Sequence, residues 1–265
     1  MANTKEQQKF PDVQGGGSLI LAWQVKNKTV LVVGGGEVAA GRILNVLNAD
    51  ANVVVVCPSS GLNPEVRHRI ASNEVTHVDR VFAPADLETA PPPAMVLVAV
   101  DDAAASTQIW KLCRERRIPA NIADVPAECD FYFGSVHRDG PLQIMVSTNG
   151  KGPRLAASIR RWIGGALPAG VGNAVERVGE LRVKLRQAAP GPDDGPRRMR
   201  WMTRVSDAYS WDDMCALTDE DMDNLLKFYQ SAKVPELHVL KAMRGGKVPE
   251  DLDVFDGSFG FSVVA

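Results

Sequence analysis

Three groups of residues have the types and spacing to do chemistry. Gly34, Gly35 and Gly36, followed by Ala39, form a GxGxxA pattern directly behind the apolar run TVLVV. Between a strand and a helix, the first glycine of such a pattern permits a tight turn and the second lets backbone approach a pyrophosphate. The small Ala39 lets helix pack on strand. A helix starting near Glu37 then turns its free N–H groups toward the phosphates. A ligand-free glycine turn uses the same letters, but strand, helix and following strand are all in place, which favours a dinucleotide.

The second group is acidic. Asp101 and Asp102 follow MVLVAV and Asp124 follows PANIA, so all three stand where open α/β sheets take their ligands. A carboxylate there can serve as a base or cap the next turn, and for Asp124, two residues before Pro126, composition alone favours the cap. Asp101 and Asp102 are expected to cap a helix over 102–117 while the backbone beside them lines a cofactor crevice. Asp130 is a second candidate base, or an anchor at a domain junction. The third group is basic: in STNGKGPR, Lys151 and Arg154 flank a loop leading into a helix N-terminus, a place suited to anions. A solvated basic face is the alternative, and the more so for Arg160 and Arg161.

One part of a dinucleotide site is missing. About 20 residues beyond the glycines an acid ordinarily receives the ribose hydroxyls, but Cys57-Pro58-Ser59-Ser60 stands there. Ser59 and Ser60 either donate to a ribose or a 2′-phosphate or cap the turn, and Arg67 and Arg69 either supply charge or are solvated. NAD is expected, with NADP left open. The expected cofactor contacts are Gly34, Gly35, Gly36, Glu37, Val38, Pro58, Ser59, Val100 and Asp101.

The elements that must position these groups follow from the hydrophobic pattern. Short Val-rich runs (TVLVV, NVVVV, EVTHV, MVLVAV, PANIA) alternate with helical stretches at 37–48, 64–72 and 102–117. Continuously apolar strands are what a parallel sheet covered on both faces requires, so a doubly wound α/β domain is predicted over 19–130. FYFGSVHRDGPLQIMVST reads as a hairpin turning at Arg138-Asp139-Gly140, and a helix follows with Pro153 in its first turn and Leu155, Ile159 and Trp162 or Ile163 on one face. This α+β stretch, 131–168, precedes a helical region over 169–265, interrupted at PGPDDGP and ending in a weakly patterned tail. Residues 1–18 are polar, end in three glycines and a serine, and read as a flexible leader.

Composition narrows the classes. The 265 residues are 45% hydrophobic with a net charge of −2, which gives nucleic acid no electrostatic footprint. No apolar run approaches the roughly 20 residues of a membrane span. Cys57, Cys113, Cys129 and Cys215 are scattered, and His68, His77, His137 and His238 lack ligand spacing, so neither a disulfide framework nor a resident metal is expected. A soluble protein of the cytoplasm fits these features.

Four blocks carry a family resemblance. VLVVGGGEVAAGR with VVVVCP, then VAVDD, then NIADVPAECDFYFGS, then LQIMVSTNGKGPRLAASIRRWI, in this order and spacing, resemble the sirohaem-synthase family, most nearly its fungal bifunctional members. The resemblance covers about 19–165 well and the helical remainder loosely. It implies a homodimer with a Rossmann-like domain, a central dimerisation region and a helical C-terminal domain. It also implies NAD-dependent oxidation of precorrin-2 to sirohydrochlorin, followed by ferrous iron insertion to give sirohaem. A dehydrogenase without chelatase activity and a non-catalytic dinucleotide sensor are the alternatives. The resemblance assigns Asp124 as the base of both reactions. The substrate it implies carries eight carboxylates, which makes Ser147, Thr148, Asn149, Lys151 and Arg154 the expected substrate contacts. Many relatives carry an Arg-Lys pair where this chain has Gly41-Arg42.

Overall fold

The computed structural model describes residues 13, 15–246 and 254–255, so most of the predicted leader and part of the tail lie outside the described residues. The described residues divide into two compact units. The first runs through Phe133 and includes Thr148–Gly152, and the second holds Gly134–Ser147 and the chain from Pro153 onward.

The first unit is built on five strands: β1 (Thr29–Val33), β2 (Asn52–Val56), β3 (Thr76–Val78), β4 (Met95–Val98) and β5 (Ala120–Ile122). They pair in parallel in the order β3-β2-β1-β4-β5. The reason these runs are apolar throughout is visible in β1. Val30 and Val32 point to one face and pack with Ala39, Ala40, Ile43 and Val46 of α1 (Glu37–Leu47) and Val66 of α2 (Pro64–Ala71). Leu31 and Val33 point to the other face and join Ile109 and Cys113 of α3 (Ala103–Glu115). Successive strand residues alternate faces, and with helices on both sides Val30, Leu31, Val32 and Val33 are all buried. This is the doubly wound α/β sheet that the sequence predicts.

In the second unit, β6 (Ser135–Asp139) and β7 (Leu142–Val146) form an antiparallel hairpin. The turn lies one residue later than predicted, because Asp139 pairs with Leu142 and Gly140, at φ +53, takes the left-handed position. The hairpin packs on α4 (Pro153–Ala166), where an added Cβ at Gly164 would lie 2.7 Å from Nδ1 of His137. The helical remainder comprises α5 (Val171–Ala188), α6 (Gly195–Ala208), α7 (Trp211–Ala216), α8 (Asp219–Leu226) and α9 (Leu237–Ala242), with a short pairing of β8 (Val234–Pro235) and β9 (Val254–Phe255). Its core centres on Trp201, Leu181, Leu185, Met222, Leu225 and Leu240. The stretch RRMRWMTRVSDAYSWDDM is two helices because Ser210 starts a new one, exchanging side-chain and backbone hydrogen bonds with Asp213.

Candidate active site

The three glycines do different things. Gly34 has φ +108, and a Cβ there would lie 2.1 Å from the carbonyl oxygen of Ala99 beyond β4. Only glycine lets β1 end this close to its neighbour. A Cβ at Gly35 would meet Cδ2 of Leu62 at 2.7 Å and Sγ of Cys57 at 3.0 Å, so this position is also set by packing. Gly36 is the opposite case: a Cβ there meets nothing within 4 Å. It begins α1 without a side-chain cap, leaving the first-turn N–H groups for another partner. Ala39 is fully buried against the sheet. Glu37 is exposed, and Val38, 51% exposed in that first turn, is an apolar side chain left uncovered.

Beside the loop is a cavity of about 390 Å³, lined by Gly34, Pro58, Val81, Phe82, Val100 and Ile109 among others. Its size and apolar walls suit a nucleoside. Glycine loop, uncapped helix and cavity fit a dinucleotide. Val81, Phe82, Pro84, Gln108, Ile109 and Leu112 were not among the expected contacts, since nothing in the sequence separates an apolar cavity wall from core.

The carboxylates at this edge of the sheet divide by use. Asp102 caps α3, accepting from the N–H groups of Ala104 (2.9 Å) and Ala105 (3.0 Å). Asp130 is not one of them: it accepts from the N–H of Ala120 at 2.8 Å and anchors the start of β5, at the opposite edge. Asp79, just after β3, accepts from Ser59. Asp101 and Asp124 are exposed. Asp124 has φ +59, a conformation non-glycine residues rarely take, and the short helical turn after it has Val125 at its N-cap with no side-chain hydrogen bond. Asp124 is therefore not the turn cap that composition favours.

Arg42 reaches the same edge from α1. Its Nη1 donates to the carbonyls of Val98 (2.6 Å) and Asn121 (3.4 Å), joining the ends of β4 and β5. Burial lowers its pKa from the ordinary arginine value, against the opposing pull of Cys129 and Asp124. Gly41 has open space around it.

The basic loop is partly committed to itself. Thr148 accepts from the N–H of Gly152 at 3.1 Å, and Asn149, at φ +51, bonds Ser18 and the carbonyl of Gly16. Ser147 is exposed at the end of the hairpin. Lys151 and Arg154 are exposed and in no ion pair among the described residues. Arg69 is spent on Glu65 and Glu74. No group of three His, Cys, Asp or Glu side chains among the described residues could hold a metal ion, and no described helix is long and apolar enough to cross a membrane.

Comparison with known proteins gives the family. An NAD(P)-binding family model matches residues 21–135, the sirohaem biosynthesis protein central model 139–165 and the sirohaem biosynthesis protein C-terminal model 168–235. The siroheme biosynthesis protein met8 of Schizosaccharomyces pombe is 51% identical over 227 residues, covering 86% of this chain and 85% of that one. The chain belongs to the sirohaem biosynthesis family. A siroheme synthase of Thioalkalivibrio sulfidiphilus is 35% identical over 67% of this chain, which spans only 35% of that longer protein. Among solved structures, SirC, a precorrin-2 dehydrogenase, matches with a TM-score of 0.57 at 20% identity, covering 81% of this chain and all of that one. At that identity the match speaks for the fold alone, and it agrees with a Rossmann-like sheet followed by a helical region.

Proposed function

We propose that this sirohaem-family enzyme oxidises precorrin-2 to sirohydrochlorin with NAD and then inserts ferrous iron to give sirohaem, acting as a cytoplasmic homodimer. The observation that carries the reading is Asp124: an exposed carboxylate, in a strained backbone conformation and without a capping role, at the same sheet edge as the glycine loop. The first reaction removes two hydrogens from the tetrapyrrole, one as hydride and one as a proton. A nicotinamide supplies the hydride acceptor when bound, and Gly34, Gly36 and the first turn of α1 would hold its pyrophosphate. Asp124 takes the proton. In the second reaction, two pyrrole N–H protons leave as ferrous iron enters as substrate, and the same carboxylate can receive them in turn. Ser147, Thr148, Asn149, Lys151 and Arg154 would meet the substrate's carboxylates, the two cations by charge and the rest by hydrogen bonds.

The homodimer is supported by α4. Leu155 (61% exposed), Ile159 and Trp162 (74% exposed) fall at helical spacing on one face, and an apolar stripe of that kind marks an interaction surface. Four free cysteines suit a reducing compartment.

Asp124→Ala tests the assignment. The variant should bind NAD and unfold at the temperature of the unaltered enzyme, yet lose precorrin-2 oxidation by at least about a hundredfold. Oxidation at the unaltered rate would remove Asp124 from the mechanism. Chelation is tested separately by mixing ferrous iron and sirohydrochlorin without NAD and following the sirohaem absorption band. No rate above the protein-free control would leave a dehydrogenase alone.

A further inference from the structure

The acid missing after β2 has a counterpart one strand over. β2 and β3 pair as far as Val56 and Val78, and the pairing continues beyond both strands. The N–H of Cys57 donates to the carbonyl of Val78 at 3.2 Å, and Nε2 of His77 lies 2.8 Å from the carbonyl of Cys57. This brings Asp79 beside Ser59, whose N–H donates to Oδ1 at 2.7 Å and whose hydroxyl donates to Oδ2 at 2.5 Å. The pair stands at the rim of the cavity, since Cys57, Pro58, Val81 and Phe82 on either side of it are wall residues.

We propose that Asp79, held by Ser59, is the residue that makes this site prefer a dinucleotide with a free ribose 2′-hydroxyl over one with a 2′-phosphate. The inference rests on the dinucleotide reading of the glycine loop and cavity. A 2′-phosphate needs donors and positive charge. Both donors of Ser59 are already given to Asp79, so the rim offers a carboxylate and hydroxyl lone pairs, which accept from a ribose hydroxyl and repel a dianion. The hydrogen bonds from Ser59 also hold the Asp79 carboxyl below the usual carboxylate range, keeping it charged. The cations near the rim do not reverse this. Arg80 is paired with Asp86 at 2.5 Å, and Arg69 with Glu65 and Glu74. Arg67 directs Nε to the carbonyl of Leu62 and Nη2 to that of Ser59. Without the Asp79 charge, Arg67 and the released donors of Ser59 would favour a phosphate.

The test is equilibrium binding of NADH and NADPH to the full chain, read by the fluorescence of the reduced nicotinamide. The unaltered chain should bind NADH more tightly. Asp79→Asn keeps the shape and an acceptor for Ser59 but removes the charge, and should shrink the NADH/NADPH affinity ratio by about tenfold, mainly through tighter NADPH binding. Ser59→Ala keeps the charge and should hold the ratio within about threefold, about 0.7 kcal/mol. A merely structural role for Asp79 would change both affinities together and leave the ratio alone. An unchanged ratio in Asp79→Asn, or a ratio lost in Ser59→Ala, would overturn the role of the Asp79 charge while the dinucleotide reading stands. Failure of the unaltered chain to bind either dinucleotide would overturn both.

Discussion

Replacing Gly36 and Gly34 singly by alanine should separate cofactor binding from folding within one loop. At Gly36 the backbone has φ −75 and ψ −169, which alanine adopts freely, and the new Cβ meets no protein atom within 4 Å. The stability cost is that of alanine at a helix N-cap, at most about 1 kcal/mol, or a loss of roughly 2–4 °C in unfolding temperature. The methyl would stand in the open space at the N-terminus of α1, and a pyrophosphate pushed away by it loses at least one charge-assisted hydrogen bond. Such a bond contributes about 1.5–3 kcal/mol, so NADH should bind roughly 10- to 100-fold more weakly. At Gly34 the order reverses. Alanine at φ +108 costs about 1–2 kcal/mol in backbone strain. Its Cβ, 2.1 Å from the Ala99 carbonyl oxygen, must also force β1 and the chain beyond β4 apart, since the nearest atoms in its way are backbone. Together these reach about 3 kcal/mol or more, lowering the unfolding temperature by roughly 6–12 °C. The assays are thermal unfolding and NADH fluorescence titration of both variants. Unchanged NADH affinity in Gly36→Ala would mean that its open side does not face the pyrophosphate, and native unfolding temperature in Gly34→Ala would refute the packing account.

Two further outcomes concern the second unit. Burial alone would raise the pKa of Asp221, but hydrogen bonds from Arg244 and Thr218 outweigh it and hold it at about 2. A carboxyl depressed in the folded state stabilises above its unfolded pKa and loses that contribution as pH falls from about 4 toward 2. The amount is at most about 2 kcal/mol, because Arg244 is part-exposed and screened. Arg244→Met should therefore lower the unfolding temperature at pH 7 and flatten its fall between pH 4 and 2, and an equally steep fall would show that the ion pair does not set it. Trp162→Glu puts a charge into the apolar stripe of α4 and should yield monomers by light scattering at micromolar concentration, whereas a persisting dimer would place the interface elsewhere.

How much of this was legible in the sequence depended on periodicity. The parallel strands could be read because burial on both faces makes each run continuously apolar, and the predicted strands and helices of 28–123 fall on the observed ones. The hairpin turn came out one residue early because Asp139, a good turn former, continues β6 to pair with Leu142. The region beyond α4 was legible only as helical. The break at Tyr209 rests on the Ser210 and Asp213 exchange, and α9 is only six residues long. At the site, the glycines showed themselves because Gly34 and Gly35 leave no room for a side chain. The cavity walls did not, since Phe82 and Ile109 read as core. Asp79 was invisible for a different reason: its relation to Ser59 depends on the register of β2 with β3, which no local pattern encodes.

The division of labour among the edge carboxylates bears on why a single residue could serve two reactions. Asp102 gives its Oδ1 to the N–H groups of Ala104 and Ala105 and serves as the cap of α3. Asp124 is exposed, caps nothing, and is held at φ +59 in a region that Asp tolerates better than most residues. A proton can reach it from a carbon-bound or nitrogen-bound donor without any protein hydrogen bond breaking first. A base of this kind is not specialised to one donor atom, and in the two proposed reactions the proton starts on different atoms but would go to the same acceptor. The cation nearby, Arg42, is tied by its own hydrogen bonds to the ends of β4 and β5, so it adds positive potential at Asp124 without capping it.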